Sequence, residues 1–226
     1  MGKDTAHTLL TELLNSPAKF SKQGKTYSLL QEYFKGFDLE TLRPLLHSED
    51  PYVQSAATFI ASELGKNASS LIEDLIPLLK SDNLSIKYEA LESIMLCSLE
   101  SKAENFVYIL KALNDKNDTI RHRAMELASN ATEKQIKGAL QVFGAKRDKN
   151  SNINVHCLSL LLKGEGNQPK DVVEMLNSKF SLTRKYGVML SKRLFHVFPN
   201  LIKEATVSND IDIQKFSREF ISNDAM

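Results

Sequence analysis

The 226-residue chain contains no tryptophan and two cysteines, and it carries a formal net charge of only +1. Two cysteines cannot make a disulfide framework. Cys97 and Cys157 each lie among apolar helical neighbours, Ile94-Met95-Leu96 and Leu158-Ser159-Leu160, so both are expected as buried thiols. A net charge this close to zero argues against affinity based on neutralising a phosphate backbone, which needs a clear basic excess. No apolar run approaches the roughly 18 residues needed to cross a bilayer. The polar opening Met1-Gly2-Lys3-Asp4-Thr5-Ala6-His7 is not followed by an apolar leader core, so the expectation is a cytoplasmic chain without membrane attachment.

An apolar fraction of 42% and a charged fraction of 25% are those of an ordinary globular protein. Charge is unevenly placed. Residues 1–113 hold 11 Lys and Arg against 15 Asp and Glu, and the remainder holds 18 against 13, so the halves carry −4 and +5.

An internal repeat decides the expected architecture. Val53-Gln54-Ser55-Ala56-Ala57, Ile86-Lys87-Tyr88-Glu89-Ala90 and Ile120-Arg121-His122-Arg123-Ala124 each place a small residue four positions after an aliphatic anchor. Weaker copies begin at Ile153, Thr183 and Ile213, with Cys157, Gly187 and Ser217 in the fourth place. The anchors are spaced by 33, 34, 33, 30 and 30 residues, a period that signals stacked helical hairpins. The small residue has a physical reason, because a bulky side chain at a close helix–helix approach would force the axes apart.

Ahead of each anchor lies a second apolar-periodic segment. These are Leu39-Leu42-Leu45-Leu46, Leu71-Leu75-Leu78-Leu79, Phe106-Ile109-Leu110-Leu113, Ile136-Leu140-Phe143, Val172-Val173-Leu176 and Leu201-Ile202-Ala205. Spacings of three and four put each set on one helical face. Between the paired helices, Ser48-Glu49-Asp50-Pro51, Ser81-Asp82-Asn83 and Asn114-Asp115-Lys116-Asn117-Asp118 supply breakers and N-caps. Residues 145–154 and 163–169 read as loops. The N-terminal block reads as two helices, one over Leu9-Leu10-Leu13-Leu14 ended by Ser16-Pro17 and one over Tyr27-Leu30-Phe34 ended by Gly36. The fold class expected is therefore all-α, with capping helices over 1–37 and one continuous repeat domain over 38–226, since a stacked array needs atypical ends.

Leu45-Leu46-His47-Ser48-Glu49-Asp50-Pro51-Tyr52-Val53-Gln54-Ser55-Ala56-Ala57, running on to Leu64-Gly65, resembles a HEAT repeat, and Asp118-Thr119-Ile120-Arg121-His122-Arg123-Ala124 looks like the same motif. The resemblance covers about residues 38–221 and departs from the pattern at Gly187 and Ser217. It implies a right-handed α-solenoid of about six HEAT-like hairpins, and a protein that binds another macromolecule along the concave surface lined by the second helices. The fold also hosts alkylpurine DNA glycosylases.

No local constellation points to chemistry. His7, His47, His122, His156 and His196 are scattered, and His156-Cys157 diverge by roughly 100 degrees on a helix, so no metal is expected. No Gly-x-Ser-x-Gly elbow occurs, and Gly164-Glu165-Gly166 lacks a third glycine and a preceding strand, so no catalytic residue and no cofactor is assigned. The polar residues following each anchor stand out instead: Lys87-Tyr88, Arg121-His122, Arg184-Lys185 and Gln214-Lys215. They are expected on the exposed side of the second helices, where stacking would align Lys87, Tyr88, Arg121, His122, Arg184, Lys185 and Lys215 into a basic partner-binding strip. The competing expectation is a structural ladder in which Arg121 pairs with an Asp of a neighbouring repeat. Lys192, Arg193, Lys146, Arg147 and Lys149 extend the basic side, and Phe195, Val197 and Phe198 read as core. The leading function is a non-enzymatic protein-binding module whose partner is another protein, resembling toxin-neutralising immunity proteins. A DNA glycosylase is the alternative from another class, against which the absence of Trp and the near-neutral charge both count. A scaffold or assembly factor is the third.

Overall fold

A computed structural model describes residues 2–99, 102–146 and 148–224; Arg147 lies outside the described residues. The protein is all-α, with no strand among the described residues, and has the architecture of a helical-repeat solenoid. It comprises two compact units, Met1–Ser101 and Lys102–Met226.

Unit 1 begins with α1 (Gly2–Asn15), α2 (Pro17–Lys22) and α3 (Lys25–Phe34). Helix α1 stops at Asn15 because Pro17 cannot continue it, and the same proline seeds α2 from its first turn. The sequence pattern missed α2, which is only six residues long. Helix α3 ends where expected, ahead of Gly36 in the left-handed region at φ 96°. Two hairpins follow, α4 (Leu42–Leu46) with α5 (Pro51–Leu64), and α6 (Ile72–Leu75) with α7 (Leu84–Cys97). The second helices are the regular ones. Asp50 accepts from the Tyr52 and Val53 amides, and Asn83 from those of Ser85 and Ile86. The first helices break into short pieces, with α6 flanked by 3-10 segments Gly65–Leu71 and Ile76–Lys80. Pro77 in the second of these lacks the amide that a continuing helix needs.

Unit 2 holds four hairpins: α8 (Phe106–Ala112) with α9 (Asp118–Ser129), α10 (Glu133–Gly144) with α11 (Lys149–Lys163), α12 (Pro169–Leu176) with α13 (Ser181–Arg193), and α14 (Pro199–Ala205) with α15 (Ile211–Asp224). Residues 145–154 are not one long loop as expected. Asp148 accepts hydrogen bonds from the Ser151 amide at 2.9 Å and hydroxyl at 2.6 Å, so α11 starts at Lys149 and its polar first turn is helical.

The small residue four places after each anchor is buried in all six second helices, at Ala57, Ala90, Ala124, Cys157, Gly187 and Ser217. The reason is explicit at Gly187, where an added Cβ would sit 3.0 Å from the Leu176 amide nitrogen of α12. Two anchors slip by one residue. In α11 it is Asn154 rather than Ile153 that turns inward, bonded at 2.6 Å by the Tyr186 hydroxyl, and in α13 it is Leu182 rather than Thr183. Both cysteines are free and buried, and burial pushes each thiol up to about 12. Of the aromatic stripe, Phe195 and Phe198 are half-buried while Val197 is exposed.

Each unit is organised round one helix. In unit 1, α5 is enclosed by α2, α3, α4, α7 and the segment 65–71, and Ala56-Ala57-Thr58 and Ile60-Ala61-Ser62 are buried runs. In unit 2, α13 is enclosed by α9, α11, α12, α14 and α15, and every residue from Lys185 to Ser191 is buried. Seven successive residues turn through nearly two helical turns, so burial of all of them means neighbours on every side. Contact of α9 with α13 and α15 joins hairpins two and three steps apart, which a regular stack would keep separate.

Candidate binding surface

After four of the six anchors the next residue folds back onto its own hairpin turn. Gln54 donates to the Leu46 carbonyl at 2.9 Å, Arg121 to those of Asp115 and Lys116 at 3.0 and 3.1 Å, Arg184 to that of Ser178 at 2.8 Å, and Gln214 to that of Ser208 at 3.4 Å. The position thus locks the turn by satisfying carbonyls that the helix pair leaves open. The exposed basic strip expected from sequence does not form here. Lys87 and Lys185 are buried, and Arg121, His122 and Arg184 are largely covered.

Unit 2 brings Arg121, His122, Arg184 and Lys185 together along one side of α15, with exposed Lys215 beside them. Arg121 makes a two-pronged pair with Asp212, Nε to Oδ2 at 2.7 Å and Nη2 to Oδ1 at 2.9 Å. Lys185, only 3% exposed, places Nζ 2.7 Å from the Leu113 carbonyl and 3.3 Å from Asp212. Arg184 bonds Asp210 through Nε and Nη2 at 3.1 and 2.6 Å. The ladder reading of Arg121 holds in kind, but its acid lies three hairpins on rather than next door. Burial alone would raise the Asp212 carboxyl, yet Arg121 and Lys185 hold it below the usual carboxylate range.

Farther along the same seam, His122 Nε2 lies 2.8 Å from Glu219 Oε2 and the ring stands edge-on to Phe216, while Nδ1 is buried without a hydrogen-bond partner. The His122 ring beside Glu126, working against burial and helped by Arg123, holds that carboxyl down to about 2. Lys192 donates to Ser129 Oγ, and Arg193 to the Ser129 and Ala131 carbonyls at 3.2 and 2.8 Å. These two cations of α13 complete the C-terminal end of α9, where carbonyls have no helical partner. Every one of these groups is engaged within the unit.

Sequence reasoning missed the acids of the seam. Asp210 stands three residues before its anchor, as do the caps Asp50, Asn83 and Asn117, so its position was visible although its pairing was not. Asp212 and Glu219 had no such signal, because their partners lie 91 and 97 residues away.

Lys87 and Tyr88 belong to unit 1 and to a different surface. On α5, Tyr52, Ser55, Phe59 and Glu63 form one stripe at helical spacing, and on α7 Ser85, Tyr88, Glu92 and Leu96 occupy the repeat-equivalent positions. All eight are exposed or half-exposed, with Tyr52 at 48% and Leu96 at 36%. The helices lie side by side: Ser62 of α5 donates to Glu89 of α7 at 2.7 Å, each about a quarter-turn from its stripe, so both stripes face outward on one flank. Three aromatics and no Lys or Arg stand among the eight. Unit 1 also has a polar cleft of about 560 Å³ between α1, α2 and α3, where Lys25 pairs with Glu12 at 2.6 Å.

Among the described residues no group of three or more His, Cys, Asp or Glu converges on a possible metal position, and no helix is long and apolar enough to cross a membrane. No family model matches the chain, and no curated protein matches it in sequence. Among solved structures it is similar to an engineered protein from the Northeast Structural Genomics Consortium, with a TM-score of 0.50 and 14% identity over 98% of this chain and 68% of the other. A second engineered protein from that consortium gives 0.42 at 16% identity, covering 83% and 96%, and a designed armadillo repeat protein gives 0.41 at 13%, covering 82% and 99%. The first of these likenesses shows the fold alone.

Proposed function

We propose that the protein is a non-enzymatic binding module of HEAT-like type that grips another protein through the α5–α7 face of unit 1. The observation that carries this reading is the pair of aligned stripes, which expose Tyr52, Phe59, Tyr88 and Leu96 on one flank. Large aromatic side chains on a rigid helical face supply most of the affinity in protein interfaces, and their exposure without a partner is unfavourable. Arg121, His122, Arg184 and Lys185 are engaged within unit 2, which moves the candidate surface to unit 1, where Tyr88 lies on it. Within this class we retain the toxin-neutralising immunity reading, which a tight one-to-one complex with a toxin domain would support. Nothing favours the glycosylase reading, because the cations that would hold phosphates face carboxylates and carbonyls of their own unit.

The test is capture of partners from the native cell extract with the intact protein and, in parallel, with a Tyr52→Ala/Phe59→Ala variant. A stoichiometric protein retained by the first and lost with the second supports the reading. Nucleic acid alone in both eluates sinks it.

A further inference from the structure

We propose that the edge of unit 2 formed by Lys146, Lys149, Lys179 and Phe180 binds an acidic polypeptide segment, whose Asp or Glu carboxylates pair with the lysine ammonium groups. The surface belongs wholly to unit 2 and does not depend on the α5–α7 face of unit 1. The observation that carries it is one aromatic ring shared by two cations. Lys149 at the start of α11 and Lys179 in the turn before α13 hold their Nζ atoms 4.8 and 5.2 Å from the centroid of the Phe180 ring, so the two ammonium groups lie within about 10 Å of each other although they come from different hairpins. Lys146 stands three residues before Lys149, a step that a chain spans in at most about 11 Å, and adds a third cation at the turn between α10 and α11. Lys111 of α8 lies over the Tyr108 ring at 4.6 Å, and partial desolvation followed by the like charge of Lys146 pushes its ammonium group below the ordinary range, so the cluster runs on to α8.

These lysines differ from the cations of the α13 seam in what faces them. Arg121 and Lys185 meet Asp212, Arg184 meets Asp210 and Arg193 meets carbonyls, whereas Lys111, Lys146, Lys149 and Lys179 are exposed and make no ion pair among the described residues. The acids of the neighbourhood are committed elsewhere. Asp148, between Lys146 and Lys149, gives one oxygen to the Ser151 amide and the other to its hydroxyl, and Asp210 is taken by Ser181 and Arg184. Asp115, four residues after Lys111, accepts from the Asn117 amide, and Glu204 lines a cleft with Asn177 and Asp210 and pairs with none of the four. A ring attracts an ammonium group without neutralising it, so Phe180 gathers positive charge and leaves it available. Like charges held together repel, and an incoming carboxylate relieves that repulsion at each head. The ring also decides between polypeptide and nucleic acid. Single-stranded nucleic acid binds where aromatic faces are open for bases to stack, and Phe180 is half-buried with two ammonium groups over it. A net charge of +1 likewise supplies no general basic excess for a phosphate backbone.

The experiment uses the intact chain and three short labelled probes, a Glu/Ser peptide, its Gln/Ser counterpart and a single-stranded oligothymidylate, followed by fluorescence anisotropy at low and moderate salt. The Glu/Ser peptide is expected to bind and to weaken with salt, with the Gln/Ser peptide failing to bind. Lys149→Gln/Lys179→Gln should weaken binding by roughly tenfold. Phe180→Leu should weaken it by roughly threefold, because the ammonium heads lose the ring that gathers them. Lys134→Gln removes the same charge at the far end of α10 and should leave affinity unchanged. Circular dichroism melting of each variant separates lost binding from lost folding. No binding of the Glu/Ser peptide at low salt, a loss with the lysine pair no larger than with Lys134→Gln, or tighter binding of the oligothymidylate would overturn the inference. Tyr52→Ala/Phe59→Ala should leave peptide affinity intact, so failure of the α5–α7 reading and failure of this one are read from different variants.

Discussion

Helices α5 and α13 hold the same place in their units, each an enclosed second helix with a small residue four positions after its anchor, yet they are built from opposite materials. Helix α5 has a single charged residue, Glu63, and fills its surroundings with Ala56, Ala57 and Ala61. Of its buried hydroxyls, Thr58 bonds the Gln54 carbonyl at 2.7 Å, and Ser62 Oγ lies 2.8 Å from the Phe59 carbonyl and 2.7 Å from Glu89 of α7. Helix α13 carries Arg184, Lys185, Lys192 and Arg193, and all four reach other elements of unit 2. The difference lies in the neighbours. Helix α5 takes up one helix end, the Leu46 carbonyl of α4 through Gln54, and otherwise fills its surroundings with small side chains, whereas α13 meets the C-terminal ends of α8 and α9 and the acidic start of α15, where unpaired carbonyls and carboxylates need donors. An enclosed helix in this fold is as polar as the helix ends it touches.

The sharpest way to break the comparison is to strip the acid from the α13 seam. Asp212→Ala leaves Arg121 and buried Lys185 without their carboxylate and is expected to destabilise unit 2 by about 3 kcal/mol, read as loss of hydrogen-exchange protection in α9, α13 and α15. Protection in α5 and α7 should stay unchanged, and uniform loss across both units would refute a unit-specific seam. A smaller effect follows from giving α13 the residue that α5 already has: Gly187→Ala pushes Cβ against the α12 backbone and should cost about 1–2 kcal/mol in denaturant melts, although alanine is the better helix former.

Acidification should separate the units more gently. Glu126 near 2 and lowered Asp212 are carboxylates whose folded values lie below their unfolded ones. Their stabilisation is therefore complete above about pH 5 and lost as pH falls toward 2. Discounting for the exposure of Glu126, the loss in unit 2 is about 1 kcal/mol, and acid titration followed by exchange should show unit 2 opening first. The smallest effect is Tyr52→Ala, within about 0.5 kcal/mol of the parent in thermal unfolding, because the ring is half in solvent. A large stability loss there would make Tyr52 a structural residue and weaken the case for the α5–α7 face.

Much of the architecture was legible in the sequence, because local rules write it. Asp50, Asn83 and Asn117 begin their helices where a capping side chain precedes an apolar period, and Ala57, Ala90 and Ala124 stay small because two helices approach within a residue's width. What escaped was equally physical. The helical start at Lys149 looked like a loop because its first turn is polar all round, and only the Asp148 cap betrayed it. Helix α6 looked continuous until Pro77 and the 3-10 segments on either side interrupted it.

The candidate surface divides the same way. Sequence by itself determined an all-α repeat, its period, its capped second helices and the long polar residues that follow anchors, Lys87, Arg121, Arg184 and Gln214. Periodicity specifies which face of a helix a residue occupies, but not what stands opposite that face. Only the tertiary structure decided that Gln54, Arg121 and Arg184 turn back to lock their own loops, and that α15 folds across α9 and α13. Lys185 could be buried because a carbonyl 72 residues away and a carboxylate 27 residues on converge on its ammonium group. Desolvation and pairing depend on distance in space rather than along the chain, so a Lys-Tyr or Arg-Lys pair after an anchor can end as a core contact or as an outward-facing stripe.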